Sequence, residues 1–365
     1  MKRKYGIYIH IPFCQAKCGY CDFSSTARRG NLAPSYVHAA VHEIAHLAPM
    51  MADRSAVSIF FGGGTPSLLS EAMVTTILEA CSTHLRLDPQ AEITLEANPE
   101  SLSLKKAQGF RHAGANRISL GIQSLNDTWL KALGRIHTAS KARHAVELAR
   151  EAGFDNISAD MMFALPDQSV LQWNEDLMEA VGLGLDHISC YQLTPEMGTI
   201  LGDKVQRGII ALPQETADYF DSAEKILMKA GYIHYEISNY AKKGRECVHN
   251  LGYWEYRDYL GIGSAAHGMV DGQRWANVQD PARYISRIKA SGRGAYHTEN
   301  LTPEKIRLER LMLGLRLKKG ILLDGMEITP EIKSLVKKGL LRLPKGRLAA
   351  TPKGWRLLDS VLAAI

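Results

Sequence analysis

The amino-acid sequence predicts an α/β fold of six consecutive βα units with a smaller helical region attached at the C terminus. Three observations carry that reading. The chain of 365 residues exceeds the usual size of one domain and is 45% hydrophobic and 22% charged, which suits a large buried core. Short β-rich runs alternate with helical stretches up to about residue 200, which implies parallel strands joined by right-handed crossovers. From about Thr302 the composition changes to helices and a basic hairpin. Six units suit either a doubly wound sheet or an incomplete barrel.

Taken in order, the β-rich runs are Tyr5–His10, Val57–Phe61, Ile93–Ala97, Arg117–Ile122, Asn156–Met162 and His187–Leu193. They are rich in β-branched and aromatic residues, as strands require. Helical periodicity marks Tyr36–Leu47, Glu71–His84, Ala139–Glu151 and Leu171–Val181 between them. Parallel α/β barrels hold ligands at the carboxyl ends of their strands, and those ends read His10, Gly62-Gly63-Gly64-Thr65, Glu96, Gln123, Asp160 and Gln192. Polar or glycine-rich ends on consecutive strands point to one site built by the whole sheet. Farther on, a helix is expected at Gln214–Lys229 and a strand at Tyr232–Ile237. Cys247–Gly268 is dense in glycine and aromatics and poor in helical period, which reads as a packed functional loop. Helices at Glu304–Leu317 and near Pro330–Lys338, then Leu340–Thr351 interrupted by Pro344-Lys345-Gly346, look like a winged helix.

The formal charge of +6, from 44 basic and 38 acidic residues, is too small over this length to indicate nucleic acid. The basic C-terminal hairpin reads as a solvated face, so no nucleic-acid partner is expected. The opening MKRKYGIYIHIPFC interrupts its short apolar run at His10, Pro12 and Cys14, so neither a signal peptide nor a membrane span is expected there. A cytoplasmic location follows. Clustered thiols in a reducing compartment are metal ligands or catalysts more often than disulfides. Cys14, Cys18 and Cys21 lie within eight residues, directly after the first strand, whereas Cys81, Cys190 and Cys247 are scattered. Cys81 and Cys190 read as small buried hydrophobes. Three thiolates leave a structural zinc short of its fourth ligand, for which His10 is a candidate. They suit an iron–sulfur cluster better, because a cubane held by three cysteines keeps one iron open for a small molecule.

CxxxCxxC after the first strand, an aromatic at Tyr20, the glycine-rich Gly62–Pro66 and the six βα units together resemble the radical S-adenosylmethionine superfamily. More narrowly, YIHIPFC, FFGGGTPSLL, LEANPE, RISLGIQSLND, LGRIH and the run to LPDQ resemble the oxygen-independent coproporphyrinogen III oxidase-like family and its haem-chaperone relatives, over nearly the whole chain. That resemblance implies a partial (β/α)6 barrel over residues 1–240, an aromatic, glycine-rich haem-binding loop and connection over 241–300, and a C-terminal helical, winged-helix-like domain over 301–365. It implies that Cys14, Cys18 and Cys21 ligate a [4Fe–4S] cluster whose open iron is chelated by S-adenosylmethionine. Family members bind that cofactor through residues matching Tyr8, Glu96, Gln123, Arg135 and Asp160, and their glycine-rich motif corresponds to Gly62–Thr65, that is Gly63, Gly64 and Thr65 with Gly62. The chemistry agrees: Glu96 and Asp160 can accept from hydroxyls or an ammonium, Arg135 can pair with a carboxylate, and Tyr8 and Tyr20 can stack.

Two departures separate the chain from the oxidases. Phe23 stands where they carry a further cysteine, and only thirteen residues precede Cys14, where they have a longer leading segment. Both favour the haem-chaperone relatives, so coproporphyrinogen oxidase activity is not expected and no catalytic residue is assigned. His249-Asn250-Leu251-Gly252-Tyr253-Trp254 matches the HNxxYW of that group. Imidazole is a common axial ligand of haem iron, and Tyr253 and Trp254 offer flat apolar surface to a macrocycle. Cys247, two residues earlier, is a weaker candidate ligand. The resemblance thus implies haem as cargo, delivered to haem-accepting respiratory proteins at the membrane, with peripheral docking at its inner face and a homodimer left open. The alternative is a radical enzyme acting on a tetrapyrrole.

Overall fold

The computed structural model describes residues 3–27 and 29–365; Met1 and Lys2, from the basic start, and Arg28 lie outside them. All six expected strands form: β1 (Arg3–Ile11), β2 (Arg54–Gly63), β3 (Leu87–Ala97), β4 (Arg117–Gln123), β5 (Ile157–Phe163) and β6 (His187–Gln192). They pair in parallel in that order. Helices α1 (Ala33–Leu47), α2 (Glu71–His84), α3 (Leu104–Ala113), α4 (Ala139–Glu151) and α5 (Val170–Gly182) make the crossovers. Side-chain caps fix the starts of most of them; Ser169 and Gln172 form a reciprocal capping box at α5. The sequence pattern shows α3 poorly, because only Ala107 and Phe110 are buried on it. One continuous core runs under these elements, from Tyr5, Ile7 and Ile9 of β1 to Trp173 of α5 and Ile188 of β6.

After α6 (Ala217–Lys229), β7 (Ile233–Glu236) and β8 (Asn239–Ala241) continue the sheet antiparallel beyond β6. The segment expected to be a loop, Cys247–Gly268, is instead ordered. It holds α7 (Val248–Trp254) and β9 (Tyr259–Ile262), and β9 pairs parallel to β1 on the side away from β2. The composition hid this strand because close approach dictates its glycine: a Cβ on Gly261 would lie 1.8 Å from the His267 carbonyl oxygen. Next come β10 (His267–Val270), β11 (Gln273–Asn277), α8 (Pro281–Ser291) and β12 (Ala295–Asn300). The twelve strands run β12-β11-β10-β9-β1-β2-β3-β4-β5-β6-β8-β7, and among the described residues the two outermost do not pair, so the barrel is partial. Glu43 of α1 ties the added strands down by accepting from the Gly263 and Gly294 amides, Asn277 and the Tyr284 hydroxyl.

The C-terminal domain has its own core, including Leu311, Leu335, Leu348 and Trp355. Helices α9 (Pro303–Gly314) and α10 (Pro330–Lys337) pack against a three-stranded sheet whose hairpin, Leu341–Arg342 with Arg347–Ala350, turns at Lys345-Gly346. Among the described residues no helix is long and apolar enough to cross a membrane.

Candidate functional site: a thiol loop over the strand ends

The three cysteines sit on a loop leaving β1, and that loop is fastened from several sides. Gly64 and Thr65, at the end of β2, donate backbone hydrogen bonds to the Ile11 and Phe13 carbonyls at 2.7 and 2.8 Å. Gly19 donates to Leu133 and accepts from Leu201. His10 spends both ring nitrogens on the scaffold, Nδ1 with the Tyr8 hydroxyl at 3.1 Å and Nε2 with the Ser24 carbonyl at 2.8 Å, so it locks the loop and is no free metal ligand. The glycines at the end of β2 and just beyond it are sterically required. A Cβ on Gly63, at φ +106°, would meet the His10 ring at 2.5 Å, and one on Gly64 would lie 2.7 Å from the Phe13 carbonyl oxygen.

Around a cavity of about 130 Å³ the fold brings together Cys14, Cys18, Cys21, Tyr20, Gly63–Thr65, Glu96, Gln123, Arg135 and Asp160. Tyr8 lines an adjoining cavity of about 370 Å³ that shares Phe23, Gly63 and Glu96 with the first. Apart from Gly62, every residue expected at the cofactor from the sequence therefore lines one of these two adjoining cavities, although they come from five strands and two loops. Ser119, Gly121 and Asn98 join them; residue type alone does not single these out.

Arg135 organises one wall. It donates to Asn98 Oδ1 and the Gly121 carbonyl, both at 2.8 Å, and points Nη1 at Cys18 Sγ at 3.5 Å. Its charge favours the Cys18 thiolate against burial, which still raises that thiol and the Cys21 thiol above the ordinary cysteine value. Among the described residues the buried Arg135 Nε has no partner, a donor left for an anionic ligand. Thr65 Oγ1 contacts Cys14 Sγ at 3.6 Å and is itself held by Asn98. Gln123 is held at φ 68°, a conformation unusual for a residue with a side chain and one that strained functional positions adopt. Opposite the thiols, burial and the neighbouring Asp160 push Glu96 up to about 8. Among the described residues no three such side chains converge as on a single metal ion. Three unpaired thiols, a bare glycine cradle and an orphaned guanidinium nitrogen fit an iron–sulfur cluster bearing an amino-acid-like ligand.

Helix α7 closes the inner side of the barrel. Glu92 of β3 accepts from the Val248 and His249 amides at 3.0 and 3.1 Å and so caps the helix. His249 is buried rather than displayed: Nδ1 meets Ser58 Oγ at 2.9 Å, Nε2 meets the Tyr253 hydroxyl at 3.1 Å, and the ring stacks on Phe60 at 5.0 Å. Burial, helped by Arg117, lowers it to about 3, so the imidazole is neutral. An iron reaches Nε2 only where the Tyr253 hydroxyl now stands. Cys247 is also buried, and burial with adjacent Glu92 pushes it up to about 12, which keeps it a thiol. Tyr253 lines the chamber of Tyr8 and Glu96 on one side; on the other, Tyr253 and Trp254 line a cleft of about 820 Å³ against the C-terminal domain.

A family model of the radical SAM superfamily matches residues 8–180, and one of the HemN C-terminal domain matches residues 301–357. The heme chaperone HemW of Mycobacterium tuberculosis is 34% identical over 99% of this chain and 94% of that protein. The chain belongs to the HemW family of radical SAM proteins. The heme chaperone HemW of Bacillus subtilis, also 34% identical, matches over 98% of each chain. Coproporphyrinogen III oxidase (HemN) from Escherichia coli, described as a radical SAM enzyme, has the same fold, with a TM-score of 0.85 and 22% identity over 100% of this chain and 90% of that one. Membership of the superfamily implies a [4Fe–4S] cluster and S-adenosylmethionine in general terms.

For a HemW-family chamber with Glu96 near 8, binding of the cationic S-adenosylmethionine should depend on pH. A positive ligand favours the carboxylate, so protonated Glu96 must release its proton on binding. Affinity should therefore rise with pH below about 8 by up to about tenfold per unit and level off above it. Isothermal titration at several pH values checks this, and Glu96→Gln should bind more weakly with the dependence flattened. A wild type whose affinity is the same at pH values on both sides of that range contradicts the assignment of Glu96.

Proposed function

We propose that the protein is a haem chaperone that holds a [4Fe–4S] cluster on Cys14, Cys18 and Cys21, binds S-adenosylmethionine between Tyr8, Tyr20, Gly63, Gly64, Thr65, Glu96, Gln123, Arg135 and Asp160, carries haem beside α7, and delivers it to acceptors at the inner face of the membrane. The cofactor serves binding or regulation rather than porphyrin decarboxylation. The observation that carries this reading is the position of α7. The His249–Trp254 segment stands between the cofactor chamber and a cleft large enough for a macrocycle, so cluster, cofactor and cargo share one partition. Relatives matching over nearly the full chain are named for haem chaperoning, which supports the same assignment.

His249 serves as the axial ligand once Tyr253 leaves its Nε2, and its neutral state suits metal coordination. Hemin titrated into cluster-free and cluster-loaded protein tests the proposal. His249→Ala is expected to weaken binding and shift the Soret band while the iron–sulfur absorbance stays intact. An unchanged band and affinity in that variant would place the iron ligand elsewhere.

A further inference from the structure

Arg316 is the feature of the C-terminal side that neither the cluster chamber nor the fold uses. It follows α9, stands half-buried on the wall of the 820 Å³ cleft, and lies over the Trp254 ring with its guanidinium carbon 5.7 Å from the centroid. Its one side-chain hydrogen bond goes to the Met312 carbonyl, and among the described residues no carboxylate comes within ion-pair distance of it. Asp359, on the same wall, and Glu236 are the nearest negative groups, and burial still lowers Arg316 below the ordinary arginine value. A half-buried guanidinium with no carboxylate paired to it keeps donors free for an anionic ligand. Arg356 adds a second guanidinium to the wall but is paired with Asp221, and Asp359 stands on the same wall, so among the described residues Arg316 is the guanidinium there without an ion pair of its own.

Tyr191, Tyr253, Trp254, Trp355 and Leu357 supply the aromatic and apolar part of the lining, and side chains such as Ser238, Asn239 and Asn250 make the remainder polar. A flat ligand bearing carboxylates matches that combination, because rings cover the aromatic walls while the acid groups meet the guanidinium groups. Resting on the haem reading above, we infer that the propionate groups of the tetrapyrrole cargo are seated on Arg316, with Arg356 beside it, in the cleft between α7 and the C-terminal domain. The macrocycle then lies against the Trp254 side of α7, and its recognition does not require iron. With an iron-free cargo His249 keeps its bonds to both Ser58 and Tyr253; iron coordination replaces only the second.

The test uses full-length protein, cluster-free and cluster-loaded, titrated with hemin, iron-free protoporphyrin IX and protoporphyrin IX dimethyl ester. Wild type is expected to bind the iron-free diacid at least about tenfold more tightly than the ester. Arg316→Ala should lose that preference, and Arg316→Lys should recover part of it, since a point charge replaces the fork. The diacid and ester comparison needs no variant to fold, so it stands even if Arg316→Ala is unstable. Equal wild-type affinity for diacid and ester, or an Arg316→Ala protein that keeps the full preference, overturns this seat while hemin binding keeps the chaperone reading intact. A wild type that binds none of the three overturns the chaperone reading, and the seat with it.

Discussion

Replacing Cys14, Cys18 and Cys21 together by alanine is expected to leave a folded protein that takes up no iron–sulfur cluster. The three side chains are only partly buried, and none belongs to the main core, so their loss costs little packing. The loop keeps its anchors, because the bonds of Gly19 to Leu133 and Leu201 and of His10 to Ser24 involve no cysteine. Anaerobic reconstitution followed by iron and sulfide analysis gives the measurement, with circular dichroism as the check on folding. The expected change is from about four irons per chain to none. Iron and sulfide contents equal to those of wild type would sink the ligand assignment.

Gly64→Ala should have the next largest effect. Its Cβ would lie 2.7 Å from the Phe13 carbonyl oxygen, 2.9 Å from that of Ile11 and 3.0 Å from Cys14 Sγ. Two of those three atoms are backbone and cannot turn aside, so β1 and β2 must separate where Gly64 donates to Ile11 at 2.7 Å. Overpacking of this kind costs roughly 1–3 kcal/mol, and here it also displaces a proposed cluster ligand. Thermal unfolding should show the loss of stability, and reconstitution should show a poorly retained cluster. Gly182→Ala is the control, since among the described residues nothing beyond its chain neighbours and its own helix comes within 4 Å of the added Cβ. If the two variants melted alike and kept the cluster alike, close approach would not be the reason for Gly64.

The cofactor chamber was largely legible in the sequence, because its residues terminate strands that alternate with helices, and that alternation fixes which ends share a rim. That rule picks out Glu96, Gln123 and Asp160 from the sequence. It does not pick out Asn98, Ser119 and Arg316, since a polar side chain on a loop or strand carries no sign of what it faces. The Cys247–Gly268 segment reads as loop for a physical reason: α7 spans seven residues and buries only His249, and β9 carries a glycine where the His267 backbone presses on it. His249 itself shows the limit of motif reading. The residue type marks an iron ligand well, but whether its nitrogens are already taken depends on Ser58, almost two hundred residues away.

The pairing of β9 with β1 has a consequence for the order in which a ribosome delivers the chain. β1 emerges ahead of β2 and finds it soon afterwards, yet its other edge waits for Tyr259–Ile262, with Gly6 opposite Tyr259. Until then a nearly finished row of parallel strands carries an open edge along Tyr5, Ile7 and Ile9, all fully buried in the native state. An unpaired apolar edge is a template for other chains. The nascent barrel is therefore sticky for most of its synthesis. Its most sequence-distant strand pairing, rather than its helices, sets the moment at which it becomes safe from self-association.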